Sequence, residues 1–191
     1  SPVELDAAGR AQVEAAVPIA RELRPDLIVS SPLARARQSA EIVARGVGNT
    51  TILEDADLSE VLYGRWEGMV FDQLVNDPDY IRYREHPIEN QTPGGETIEQ
   101  VQVRGVAAVK RALGAHRERR ILFVSHGDIV KTILCHFMHV PLECFRSIRV
   151  DNAAFSGIQV AGDFAEVKFL NLLADPGRAF VSPFKSQDDT R

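Results

Sequence analysis

Residues 119–128 read Arg-Arg-Ile-Leu-Phe-Val-Ser-His-Gly-Asp. Four apolar residues are bounded by charge on one side and by Ser125, His126 and Gly127 on the other. A short, unbroken apolar run of this kind predicts a strand buried in a parallel sheet. The residues after Gly127, 128–138, carry a helical pattern. A second run, Leu27-Ile28-Val29, ends the same way, in Ser30-Ser31-Pro32, and is also followed by a helical stretch. Strands that alternate with helices call for an α/β fold with a largely parallel sheet. In such sheets ligands bind at the carboxyl ends of the strands, so Ser30-Ser31 and Ser125-His126-Gly127 are the places to look for chemistry.

The rest of the chain fits this frame. Asp6 is a helix N-cap ahead of residues 7–24, where Val13, Ala16, Val17, Ala20 and Leu23 recur at helical spacing. Pro18 falls inside and predicts a kink or a split. Ser31 reads as the N-cap and Pro32 as the first residue of the next helix, which Gly46 closes. Residues 51–55 form a second short strand. Residues 57–95 are irregular, with helical pieces near 70–75 and 78–86, and suit a substrate lid. A long amphipathic helix follows, capped by Thr97 or by the glycines before it. Two β-rich runs around Gly162-Asp163 predict a hairpin. The expected organisation is a single domain over residues 1–174 and a mobile Pro- and Ser-rich tail over 175–191.

Composition narrows the function. The 191 residues carry a net charge of −5, which argues against general nucleic-acid binding. No apolar run approaches the roughly 20 residues of a membrane span, and no signal peptide is visible. Two cysteines without CxxC spacing suggest neither a zinc site nor a disulfide framework, and fit a reducing, cytoplasmic compartment. No spacing of His, Cys, Asp and Glu implies a metal, and no cofactor motif is present.

Four stretches could carry chemistry. Arg35 and Arg37 lie in the first turns of a helix, where free N–H groups and the helix dipole favour an anion. Two residues apart, they face different ways, so one addresses the pocket and the other is a solvated charge. His126 sits on a strand-to-helix turn and could be an acid/base, a charge stabiliser, a nucleophile or merely a capping residue. Glu60 and Glu67 flank Tyr63 and Trp66. A carboxyl desolvated by those rings would suit a general acid, and a solvated one would be a surface charge. Pro93-Gly94-Gly95-Glu96-Thr97 reads as a helix-start device in which Glu96 complements the helix dipole. His86, His116, His136 and His139 read as structural or solvated.

The order of these stretches is more specific than any one of them. LDAAGRAQ (5–12), SSPLARARQSAE (30–41), LSEVLYGRWEG (58–68), PGGET (93–97) and VSHGD (124–128) follow one another as in the histidine phosphatase superfamily, the phosphoglycerate-mutase-like proteins. The chain resembles that family over about two thirds of its length. Ser39 stands where Thr is more usual. The resemblance implies a three-layer sandwich with a mostly parallel central sheet and antiparallel edge strands. It also implies hydrolysis of a small phosphomonoester through a phosphohistidine. By that resemblance Arg35 clamps the phosphoryl group, helped by the Gly127 N–H. Glu60 is the proton donor, and a protonated His126 stabilises the phosphoryl oxygens without a metal. The family's Arg-His-Gly nucleophile belongs on a first strand ahead of residue 5, and none of the five histidines here has that context. The expectation is therefore a chain whose first strand lies upstream of Ser1. YGRWEG, and the short stretch between Glu60 and PGGET, resemble the phosphatase branches. A cofactor-dependent phosphoglycerate mutase and a non-catalytic phosphate-binding domain are the other two readings. The expected partner is a small phosphorylated metabolite, with homo-oligomer formation open.

Overall fold

The structure, a computed structural model, describes residues 3–48, 50–117, 119–162 and 164–175. The expected tail lies outside these residues from 176 onward.

The first helix, α1 (Ala7–Leu23), opens at Asp6, whose carboxylate accepts the Gly9 N–H at 2.7 Å. It runs unbroken through Pro18, so the expected split does not occur. Pro18 is exposed while Ala16, Ile19 and Ala20 around it are buried. The carbonyl left without a partner therefore belongs to the solvent side, and packing of the opposite face holds the helix together.

Strand β1 (Leu27–Ser30) is buried at every residue. It pairs in parallel with β2 (Ile52–Glu54) on one side and β3 (Ile121–Val124) on the other, giving the order β2-β1-β3. Alternate side chains of β1 leave by opposite faces. Leu27 and Val29 join a core with Val101, Val106 and Val109 of α5 (Ile98–Ala115) and Ile129 and Ile133 of α6 (Gly127–Met138). Ile28 joins the other core, with Val13 and Ala20 of α1 and Ala40 and Val43 of α2 (Ala34–Gly46). In β3, Ile121 and Phe123 side with the first core, Leu122 and Val124 with the second. The result is three layers: α1 and α2, the sheet, α5 and α6. The expected hairpin is present as β4 (Phe155–Ala161) and β5 (Phe164–Leu172), an antiparallel pair forming its own two-stranded sheet with Ile158, Val160 and Ala165 against the α5–α6 core.

The long excursion between β2 and α5 is folded onto the molecule. It contains 3₁₀ turns at Ala56–Leu58 and Gly64–Trp66 and two short helices, α3 (Phe71–Leu74) and α4 (Pro78–Glu85). Leu58, Val61, Trp66 and Tyr83 are buried in the α5–α6 core. Trp66 holds α4 through Tyr80 and Tyr83, each with its ring centre 5.5 Å away.

Two features matter for the site. Helix α2 starts at Ala34 with Leu33 as its cap, so Ser31 and Pro32 lie outside it and Ser31 is not the N-cap expected. The apolar requirement at the end of β1 keeps Ser31 fully buried, where its hydroxyl serves another partner. Among the described residues, β3 has a strand on one edge only. Arg120 and Val124 turn their carbonyls to β1. Alternation along a parallel ladder therefore turns the N–H and C=O of Ile121 and Phe123 to the open edge.

Gly46 is the last residue of α2, and packing requires glycine there. A Cβ there would lie 2.4 Å from Val17 Cγ1 of α1. Gly46→Ala should therefore cost about 1–2 kcal/mol despite alanine's better helix propensity. Urea denaturation would read this, and Val17→Ala in the same chain should relieve part of it.

Candidate active site

Both strand ends deliver polar side chains to one place. His126 occupies the N-cap position of α6 with an extended backbone, and its ring makes no capping bond. The ring turns to β1, where Nε2 lies 2.8 Å from Ser31 Oγ. Ser31 Oγ also accepts the Leu33 N–H at 3.3 Å, and the Ser31 N–H is bonded to Val124 O. The ends of β1 and β3 are thus tied to one another through the residue pair that closes them. Gly127 is the first residue of α6, so its N–H is among those a helix leaves without an internal acceptor.

Arg35, in the first turn of α2, is half-buried and close enough for its charge to act on His126, whereas Arg37 is exposed. Only one of the two arginines addresses the site, as their spacing requires. Ser39, one turn on, bonds back to Arg35 O at 2.8 Å.

Glu60 arrives from the excursion. Its carboxylate accepts the Val61 N–H at 3.0 Å and, weakly, the Asp128 N–H at 3.4 Å, which places it at the start of α6 beside Gly127. Asp128 in turn accepts from Tyr63 Oη at 2.9 Å and from Lys131 Nζ at 3.1 Å. Glu67 is exposed on the far side of the Gly64–Trp66 turn and takes no part. Histidines 86 and 139 are exposed at helix ends, and 116 and 136 are half-buried away from the strand ends.

Burial moves the two titratable groups in opposite directions. Desolvation, followed by the charges of Arg35 and Arg104, lowers the His126 pKa to about 4. At neutral pH the His126 imidazole is therefore neutral. The imidazole is 8% exposed and faces two guanidinium charges, so its cationic form is disfavoured. Desolvation raises the Glu60 carboxyl, and the Asp128 carboxylate adds to this, against the backbone N–H groups of Val61, Asp128 and Ile129. A carboxyl that keeps its proton longer than usual suits a general acid.

Arg104 is the residue that sequence reasoning missed. It reaches from α5 to donate to three successive parts of the Glu60 segment: Asp57 O at 2.8 Å, Ser59 O at 2.7 Å and Glu60 O at 3.1 Å. It also grips Glu96 with two bonds, of 2.7 and 2.9 Å. The available signal was an arginine on the buried face of an amphipathic helix, between Val101 and Ala108. Ser31 lies at a strand end that the sequence marks for chemistry, but its reading as a helix cap gives way to a bond with His126.

A cavity of about 340 Å³ lined by Arg21, Arg24, Asp26, Gly46 and Val47 lies at the other end of β1, away from His126. No helix among the described residues is long and apolar enough to cross a membrane.

The fold, with Arg35, His126 and Glu60 brought near the ends of its parallel strands, matches a class of phosphoryl-transfer proteins. The family model of the histidine phosphatase superfamily, branch 1, matches residues 1–173, and the chain belongs to that family. It is 28% identical to phosphoserine phosphatase 1 of Hydrogenobacter thermophilus over 163 residues, 84% of this chain and 77% of that protein. It is 32% identical to an acid phosphatase of Mycobacterium tuberculosis over 143 residues, 73% of this chain and 66% of that protein. Probable phosphoglycerate mutases of Escherichia coli and Shigella boydii also match, at 28%. A mycobacterial glucosyl-3-phosphoglycerate phosphatase has the same fold, with a TM-score of 0.79 at 24% identity, over 90% of this chain and 88% of that one. The phosphohistidine mechanism is general to this family, and the phosphatase-named relatives support a phosphoric monoester hydrolase.

In the ligand-free protein His126 should stay neutral from about pH 7 down to about pH 5. An NMR titration of the imidazole nitrogens would place its midpoint near 4 rather than 6.5, and Arg35→Gln should move it upward. Between those two values the unfolded chain binds a proton here that the folded chain does not. The His126 contribution to stability should therefore decline as pH falls through that window.

Proposed function

We propose that Arg35, His126 and the Gly127 N–H hold the phosphoryl group of a small phosphomonoester, and that Glu60 is the general acid and then the general base. The convergence of these groups where β1, β3 and α6 meet carries the reading. The nucleophilic histidine comes, on this reading, from a strand seated on the open edge of β3. Ile121 and Phe123 turn backbone donors and acceptors that way, and a parallel strand there would end beside His126. Residues 1–174 then form the body of one phosphatase domain.

In the first half of the reaction, the histidine nitrogen forms a bond to phosphorus while the bond to the leaving oxygen breaks. The Glu60 carboxyl proton passes to that oxygen. In the second half, Glu60 carboxylate takes a proton from water, the water oxygen bonds to phosphorus and the P–N bond breaks. The transferring group carries its charge on the equatorial oxygens, where Arg35 and the N–H donors are needed. His126 is neutral in the empty site. A bound phosphoryl dianion would draw a proton onto it, so substrate binding and the charge on His126 are linked.

A small phosphorylated substrate is supported by the phosphatase-named relatives. A cytoplasmic location agrees with two cysteines that are free thiols. A mutase reading is kept by the mutase-named relatives, and differs in product.

The test is the full-length protein assayed against a panel of phosphomonoesters for phosphate release. Arg35→Ala and His126→Ala should each lower kcat about 10²–10³-fold with an unchanged circular dichroism spectrum. Near-normal turnover in either variant would remove that residue from the site. Phosphoglycerate interconversion that outpaces phosphate release would favour the mutase. A complete chain without an Arg-His-Gly histidine would make the domain a phosphate binder.

A further inference from the structure

The segment that carries Glu60 has no strand or helix to satisfy it. Residues 57–62 form the end of a 3₁₀ turn and an irregular run, yet Leu58 and Val61 are buried. Buried carbonyls need partners, and here side chains supply them. Arg104 takes the carbonyls of Asp57, Ser59 and Glu60. Ser125 Oγ donates to Leu58 O at 2.6 Å, which ties the segment to the end of β3. Thr92 Oγ1 donates to Leu62 O at 2.9 Å, and the Glu96 N–H reaches the same carbonyl. Glu96 Oε2 accepts the Leu62 N–H at 2.9 Å. A Cβ on Gly95 would lie 1.9 Å from Leu62 O, so only glycine admits this approach.

Glu96 is thus not a helix-dipole partner. It lies before Thr97, which caps α5 through a capping box with Gln100. Its carboxylate joins Leu62 to Arg104. Burial alone would raise this carboxyl, but the Arg104 bonds and the Leu62 N–H outweigh it and hold the group below the ordinary range. It is therefore an anion, and the guanidinium that it fixes is aimed at the backbone of Glu60.

We infer that Arg104 and Glu96 are positioning residues for the general acid: they clamp the backbone on both sides of Glu60 so that its carboxyl stands at the leaving oxygen. Neither touches the phosphoryl group. The planar fork of arginine is needed, because it serves the carboxylate along one side and three carbonyls along the other. A lysine could not make both sets of bonds.

This rests on Glu60 being the acid, and the experiment separates the two. A general acid matters for an alkyl phosphate, whose alkoxide must be protonated as it leaves. It matters little for p-nitrophenyl phosphate, whose leaving group departs as a stable anion. Full-length Arg104→Lys and Glu96→Gln should lose about 10–100-fold in kcat/KM on an alkyl phosphate and less than about threefold on p-nitrophenyl phosphate. This ratio reads the phosphorylation half alone and leaves out the water step, in which Glu60 acts as base on both substrates. Glu60→Gln should show the same selectivity, larger in size, and Arg104→Lys added to it should bring no further selective loss. Selective Glu60→Gln with unselective Arg104→Lys and Glu96→Gln would overturn the positioning role alone. Unselective Glu60→Gln would overturn the acid assignment and this inference with it. If Arg104→Lys does not fold, Glu96→Gln, which keeps its shape, decides the outcome. If neither folds, the pair serves stability and the inference fails.

Discussion

A buried stretch of irregular backbone must have its carbonyls bonded by something, and in this protein the something is largely one guanidinium. Arg104 satisfies the chain around Glu60 while Glu96 fixes Arg104 from behind. This arrangement lets an acid be presented from a loop with the rigidity of an element. Side-chain donors replace the ladder that a strand would have provided, and the bonds from Arg104 are charge-assisted. The PGGET stretch gains a purpose beyond starting a helix, since its glycine and glutamate both contact Leu62.

The sheet supplies the other half of the site. β1 is covered by helices on both faces, so its side chains must be apolar until the strand ends. Ser31 and His126 are therefore brought together at the edge of that apolar region, where neither can find water easily and each finds the other at 2.8 Å. Parallel pairing in register, Ser30 beside Val124, is what places the two ends level. The open edge of β3 lies directly alongside them.

The same burial has opposite consequences for a base and an acid. His126 loses its proton more readily and Glu60 holds its proton longer. At neutral pH the imidazole is therefore neutral, and the Glu60 carboxyl keeps its proton to higher pH than an ordinary glutamate. On the proposed reading, positive charge at the phosphoryl site begins with Arg35, and His126 gains a proton when a dianion arrives. Environments that push two groups apart in this way define which of them donates.

Much of this was legible in the residues. The apolar runs at 27–30 and 121–124 are too short and too uniformly apolar for anything but strands buried on both faces, and turn residues after them locate the site. Arg35, Glu60, His126 and Gly127 were chosen from local pattern and from the family order of motifs, and the fold gathers all four around the start of α6. Other properties needed the tertiary structure. The neutrality of His126 depends on how deeply the ring is buried and which cations face it. The unbroken helix at Pro18 depends on which side of α1 meets solvent. Position 46 must be glycine because Val17 leaves no room for a Cβ, a contact between helices. Arg104 and Ser31 act across separations of 44 and 95 residues. Sequence determined which residues carry reactive groups and which runs must be buried, because those follow from side-chain chemistry and local periodicity. Only the tertiary structure decided which charges share a low-dielectric space and which backbone they hold, because those depend on distances between segments far apart in the chain.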